Sequence, residues 1–247
     1  MKRITRSIVM AAICLLFTIN SQAAPKAEIS ESTFDFGFAP QGSKLSHKYW
    51  IHATGTEDLK ITKVVPGCGC TKAPPEKDIV AVGDSTWLEI IFSSKKYTSK
   101  ITKRPKFYTN EGKAAKKVSF TAHIVSPNDV TSPLVINPFK VNLSKQSDFH
   151  LANSKINTNE DNNGMVEVTN NSDTDLSIKI VDIDTANFNV DLPQLIHAGE
   201  TVQGTIYLQN VKSEKSFQKS LTIEVNDEKK TRFTIPVTYN SQIISHK

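Results

Sequence analysis

The chain repeats itself. Segments of one half recur in the other at a spacing of roughly 116 residues, the length of a sandwich domain rather than of a short solenoid unit. Tyr49-Trp50-Ile51-His52-Ala53 corresponds to Val166-Glu167-Val168-Thr169-Asn170, and Glu57-Asp58-Leu59-Lys60-Ile61 to Thr174-Asp175-Leu176-Ser177-Ile178. Val82-Gly83-Asp84 matches Ala198-Gly199-Glu200, and Phe107-Tyr108-Thr109-Asn110-Glu111 matches Ile223-Glu224-Val225-Asn226-Asp227. Apolar residues fall at matching places in both halves, as in a duplicated domain.

The period inside each half is two. Leu45, Tyr49 and Ile51 alternate with Ser46, Lys48 and Trp50; Leu88, Ile90 and Phe92 alternate with Trp87, Glu89 and Ile91; Val118, Phe120, Ala122 and Ile124 alternate with Ser119, Thr121 and His123. That alternation marks strands with one buried face. Breaks at Thr54-Gly55, Val82-Gly83, Asn110-Glu111-Gly112 and Asn170-Asn171-Ser172 punctuate them. No stretch keeps a helical period for three turns. The expected fold is all-β: two tandem immunoglobulin-like sandwiches, residues 24–126 and 134–247, joined by a proline-stiffened linker over 127–133.

The amino terminus reads as an export signal over residues 1–23. Lys2, Arg3 and Arg6 form a basic head, Ile8 to Ile19 is apolar but short for a bilayer span, and Ser21-Gln22-Ala23 is a small-x-small cleavage site. Cys14 follows Ile13, where lipoprotein processing wants a small residue, so that alternative is set aside. No other apolar run is long enough for a transmembrane helix, and the expected location is periplasmic or secreted. Three of the 30 Lys and Arg lie in the signal, which leaves 27 against 25 Asp and Glu. The first half carries the basic surplus, clustered at Lys95, Lys96, Lys100, Lys103, Arg104 and Lys106. Export argues against a nucleic-acid partner for this surplus, and a solvated, self-repelling hairpin accounts for it.

After removal of the signal, Cys68 and Cys70 are the two remaining thiols, set in Pro66-Gly67-Cys68-Gly69-Cys70-Thr71-Lys72 between two strand-like segments. Three readings stand. A disulfide between them closes a very small ring, which adds little stability and suits thiol exchange better than reinforcement. Two thiolates also suit Cu(I), whereas zinc wants four ligands and no Cys-x-x-Cys or His-x-x-x-His accompanies the pair. His47, His52 and His123 are the nearest histidines in the first half, and His47 and His52 have opposite parity on one strand. In the third reading the cysteines are partly buried turn residues without exchange chemistry. Lys63 and Lys72 nearby favour a thiolate. The second half has Thr185 and Asn187 at the corresponding positions, so this type of sandwich does not require the pair.

The order Phe34-Asp35-Phe36-Gly37, Gly42, Leu45-Ser46-His47-Lys48-Tyr49, Leu59-Lys60-Ile61, Cys68-Gly69-Cys70-Thr71, Val82-Gly83-Asp84 and Tyr108-Thr109-Asn110 resembles the bacterial DUF1573 family over roughly residues 30 to 125. That family is an exported immunoglobulin-like domain related to the sandwich modules of cilia and centrosomes. The resemblance implies fold and export and assigns no chemistry. Ala53 stands where the family usually has Asn, which the second half keeps as Asn170, and Val82-Gly83 replaces a usual Pro-Gly.

No nucleophile elbow, P-loop or dinucleotide glycine motif is present, and Asn159-Glu160-Asp161-Asn162-Asn163 lacks the later bidentate Glu of a calcium loop. Asp35 is expected to brace a strand end. The reading is of a non-enzymatic binding or structural module of the cell envelope, with no cofactor, whose partner is an envelope protein or polymer. The alternative is a thiol-exchange or Cu(I)-handling accessory that uses Cys68 and Cys70. Strand parity puts Trp50, Trp87 and Ile91 on one outward face, where the second half has Glu167, Gln203 and Tyr207; this is the candidate partner surface.

Overall fold

The computed structural model of the chain describes residues 23–126, 134–137, 141–144, 163–209 and 216–240. The expected linker, and all but the last residue of the expected signal, lie outside the described residues. The described residues hold twenty strands and no helix. In the first half these are β1 (Ala27–Ile29), β2 (Thr33–Pro40), β3 (Lys44–Ala53), β4 (Leu59–Val65), β5 (Thr71–Lys72), β6 (Ile79–Val80), β7 (Ser85–Ser93), β8 (Lys100–Lys103), β9 (Lys106–Thr109), β10 (Lys116–Lys117) and β11 (Ser119–Val125). The second half has β12 (Leu134–Asn137), β13 (Val141–Ser144), β14 (Asn163–Asn170), β15 (Leu176–Asp182), β16 (Phe188–Asp191), β17 (Leu195–Ile196), β18 (Thr201–Leu208), β19 (Phe217–Val225) and β20 (Arg232–Asn240).

The pairings repeat from one half to the other. The order β1-β3-β7-β5 recurs as β12-β14-β18-β16. The parallel pair β2–β11 recurs as β13–β20, and the antiparallel pair β4–β6 as β15–β17. Even single bonds recur: Asn110 Oδ1 accepts from the Lys60 amide, as Asn226 Oδ1 does from Ser177. Each half has its own apolar cluster, centred on Phe36, Tyr49, Phe92 and Phe120 in the first and on Phe188, Leu221, Phe233 and Ile235 in the second. Period-two patterning produces this directly, since alternate residues of β3 and β7 enter the core.

One strand-end turn is built differently in the two halves. Asn170 is fully buried and its amide nitrogen donates to the carbonyls of Thr174, Ile196 and His197. Ala53 offers no such group. There the chain before β1 satisfies the turn instead: the Thr54 and Thr56 amides donate to the carbonyls of Lys26 and Ala24.

The halves are joined by a seam of backbone contact. β20 of the second half lies parallel to β2 of the first at Phe38–Phe233, so one eight-stranded sheet runs through both. The glycine of Phe34-Asp35-Phe36-Gly37 makes this approach possible. Gly37 has φ +62°, and a Cβ on it would lie 2.0 Å from the carbonyl oxygen of Arg232. It sits where the register between β2 and β11 shifts, and Asp35 braces that bulge by accepting from the Gly37 amide and the Thr121 hydroxyl. Beside it the Thr234 hydroxyl donates to the Phe36 carbonyl, and the Phe38 and Phe233 rings stack with centroids 5.4 Å apart.

The polar part of the seam is buried. The Ser46 amide donates to Ser220 Oγ and the Ser220 amide to Ser46 Oγ, at 2.9 and 3.0 Å. Lys219 pairs with Glu89 and with Asp184, and Lys48 with Asp184. Burial pushes the Asp184 carboxyl up, but the Lys48 and Lys219 ammonium groups and a bond from Asn187 outweigh it and hold the group below its ordinary 3.8.

Two outcomes follow from this seam. Gly37→Ala is expected to cost about 2 kcal/mol or more, from positive φ and overlap with the Arg232 backbone, seen as a lower midpoint in urea unfolding; an unchanged midpoint contradicts the close approach. Because the folded value of Asp184 is depressed, the stability it supplies is complete above the unfolded value and is lost as pH falls through the folded one. Asp184→Asn is therefore expected to be less stable than the parent near pH 6, with the gap closing in thermal melts as pH falls below the ordinary 3.8 of the carboxyl. A gap independent of pH contradicts the ion-pair assignment.

Candidate functional site

Two places in the first half gather the residues singled out by the sequence, and they lie towards opposite ends of β7. At one end is the cysteine turn. Gly67 takes φ +89° and the Thr71 amide donates to the Cys68 carbonyl, so residues 68–71 form a tight turn. β5 then fastens the chain: Thr71 pairs with Phe92, and the Ser93 amide donates to the Cys70 carbonyl. Cys68 and Cys70 form a disulfide, with Cα atoms 5.2 Å apart.

The two sulfurs have different surroundings. Cys70 packs against the core cluster of the first half, and its Sγ accepts a hydrogen bond from the Tyr97 hydroxyl at 3.3 Å. Thr71 Oγ1 lies 3.4 Å from Cys68 Sγ and 3.7 Å from Cys70 Sγ. Tyr97 lies on the turn that leads into β8, its ring against Phe92, with Nζ of Lys103, the last residue of β8, 4.6 Å from the ring centroid. A cleft of about 480 Å³ is not part of this turn; the turn has its own, of about 450 Å³, which Cys68, Gly69 and Cys70 share with Tyr97, Lys95 and Lys96. Tyr97 and the two lysines were not singled out for the cysteines by sequence. A contact across 27 residues of chain has no periodicity to reveal it, although the basic cluster itself was visible.

The histidines have other partners. His52 bonds to Ser30 Oγ at 2.7 Å, and the His123 ring lies 4.8 Å from that of Phe38. His47 is buried in the seam, stacked on Phe34, with Nδ1 2.8 Å from Asp182 Oδ2. Among the described residues no group of three or more His, Cys, Asp and Glu is gathered as a metal site. With the sulfurs bonded to each other, the thiolate pair suited to Cu(I) exists in the reduced form alone.

At the other end of β7 the tryptophans meet. Trp50 of β3 stands directly opposite Trp87 of β7, with ring centroids 4.9 Å apart. Trp50 keeps 42% of its surface exposed, and Trp87 is half-buried beneath Lys48, whose Nζ lies 4.8 Å from its ring. The second half covers the neighbouring rungs of the same face, at Ser46, Lys48 and Glu89. Ile91 is separated from them: it faces the 480 Å³ cleft, opposite Phe217 and Lys219. In the second half the rung equivalent to Trp50–Trp87 is Glu167–Gln203, closed by a side-chain hydrogen bond.

The family model described as "Protein of unknown function (DUF1573)" matches residues 27–124. That segment belongs to the DUF1573 family. Its Gly37 is the residue that admits β20, and its Cys68-Gly69-Cys70-Thr71 forms the disulfide turn. No curated protein matches. Among solved structures, a protein of unknown function from Porphyromonas gingivalis W83 is 12% identical, covering 87% of this chain and 99% of that one, with a TM-score of 0.34. The YadV chaperone is 9% identical over 86% and 98%, with a TM-score of 0.30. An ASH/PapD-like domain of human CEP192 is 12% identical over 44% and 92%, with a TM-score of 0.32. Among the described residues no helix is long and apolar enough to cross a membrane.

A disulfide enclosing a single residue removes little entropy from the unfolded chain. Replacing both cysteines by Ser is therefore expected to shift the thermal midpoint by no more than a few degrees, measured by circular dichroism. A loss as large as that of a buried core truncation contradicts this and assigns the pair a structural role.

Proposed function

We propose that this chain is a non-enzymatic binding module of the cell envelope, exported to the periplasm or beyond, that engages an envelope protein or polymer through Trp50 and Trp87. In this reading residues 24–126 and 134–247 are two immunoglobulin-like sandwiches of one duplicated origin, and the repeated strand pairings support it. The observation that carries the proposal is the tryptophan pair itself. A wholly structural pair would be buried, whereas Trp50 is 42% exposed and belongs to neither apolar cluster. Tryptophan supplies large contact area at low entropy cost and is enriched where binding energy concentrates. Lys48, drawn between Trp87 and Asp184, gives the patch a charged rim continuous with the seam.

The sister half reinforces this reading. The same rung there is polar and hydrogen-bonded, so the scaffold does not need aromatic residues at that place. The second half instead serves as a brace, since β19 covers the lower rungs of β3 and fixes the face that the tryptophans crown.

Trp50→Ser with Trp87→Ser is expected to leave the far-ultraviolet spectrum and unfolding cooperativity unchanged while reducing co-sedimentation with an isolated envelope fraction at least tenfold. Glu167→Ala with Gln203→Ala, on the equivalent rung of the second half, is expected to leave co-sedimentation intact. Equal binding by parent and tryptophan variant removes this surface from the function.

A further inference from the structure

We infer that the Cys68–Cys70 disulfide is a polarised thiol-exchange site, in which Cys68 is the sulfur attacked and Cys70 the sulfur that leaves, assisted by Tyr97. The inference is independent of the tryptophan surface. It rests on the asymmetry around the two sulfurs. Cys70 is anchored through its carbonyl to Ser93 on β7 and packs on the core, so its position survives opening of the bond. Cys68 belongs to the turn, next to Gly69, which has open space around it. The Tyr97 hydroxyl donates to Cys70 Sγ alone, placing a proton donor where negative charge appears if Cys70 departs. The cleft that Cys68 and Cys70 line carries Lys95 and Lys96, which draw an anionic thiol towards it.

The chemistry balances with a thiol as the sole co-reactant. The thiolate of an anionic peptide thiol attacks Cys68 Sγ in line with the existing bond. A sulfur–sulfur bond forms between peptide and Cys68 as the Cys68–Cys70 bond breaks, and the electron pair leaves on Cys70 Sγ, which takes up a proton. A second peptide thiolate then attacks the peptide sulfur of the mixed disulfide and releases Cys68 as a thiolate, which is protonated in turn. Two thiols have become one disulfide, and the cysteine pair has gained two electrons and two protons. In the reverse direction reduced Cys68 attacks a disulfide and Cys70 resolves the adduct. The small ring suits this cycle, because closing it costs little chain entropy and opening it leaves the rest of the sandwich in place.

The test uses the full mature chain and reduced glutathione as the anionic thiol, with cysteamine as a cationic one, each referred to its reaction with a free Cys-Gly-Cys peptide disulfide. The protein is expected to react faster than the peptide with glutathione, and its preference for glutathione over cysteamine is expected to exceed the peptide's and to fade with salt. Tyr97→Phe keeps the ring on Phe92 and is expected to leave the thermal midpoint unchanged while slowing reduction about two- to tenfold, the effect of one hydrogen bond to the leaving group. With oxidised glutathione, Cys70→Ser is expected to form an adduct at Cys68 at least tenfold faster than Cys68→Ser forms one at Cys70. Should either variant fold poorly, acid-quenched peptide mapping of the parent is expected to find glutathione on Cys68. Adducts on Cys70, a rate no greater than that of the free peptide, equal relative rates with the two thiols, or indifference to Tyr97→Phe would each overturn the proposal.

Discussion

Everything about the arrangement of this molecule depends on one backbone approach, that of Arg232 to Gly37. A side chain at position 37 would overlap the carbonyl of Arg232, so the continuation of the first half's sheet into β20 is licensed by a glycine with φ +62°. Once β2 and β20 are side by side, Ser46 meets Ser220, Phe38 meets Phe233, and Lys219 falls between Glu89 and Asp184. These contacts are mostly polar and buried: Lys48, Lys219 and the Ser46 and Ser220 amides each bond to a group of the other half, while His47 Nε2 stays buried without a hydrogen-bond partner among the described residues. Such a seam specifies geometry more than it adds stability, because the desolvation of Lys219 and Asp184 offsets much of their attraction.

The seam also sorts the outer surface of the first half. β3 and β7 present one outward row, Ser46, Lys48 and Trp50 opposite Ile91, Glu89 and Trp87. The second half takes the lower rungs, and Trp50 of the aromatic rung stays exposed beside the half-buried Trp87. The cysteine turn is fastened to β7 at Phe92, five residues from Trp87 and about 17 Å along the strand. A polymer or protein engaged on the tryptophans and a thiol entering beside Tyr97 would therefore meet different ends of one rigid strand.

Much of this was legible in the sequence, for a physical reason. Residues such as Leu45, Tyr49, Leu88 and Ile90 alternate because a half-buried strand demands it, and the same periodicity sets Trp50 and Trp87 outward. The repeat exposed the contrast with Glu167 and Gln203, and the Phe34-Asp35-Phe36-Gly37 start pointed to the family that matches residues 27–124. The seam was not legible. Ser46, Lys48 and Glu89 occupy positions that read as a solvent face, and nothing local distinguishes water from a second sheet as what they face. Nothing local in the sequence indicates that His47 is enclosed between Phe34 and Asp182, because Asp182 comes from the other half. Tyr97 escaped notice because its contact with Cys70 is made by a turn, where spacing carries no information.

The claim on which these relations rest is that the two halves form one continuous sheet, and amide hydrogen exchange of the mature chain tests it most directly. The Ser46 and Ser220 amides, which bond across the seam, are expected to exchange as slowly as the core amides of β7 and β20, opening through global unfolding alone. Rapid exchange of these two amides while both cores stay protected would mean that the halves separate freely, and would contradict the shared sheet.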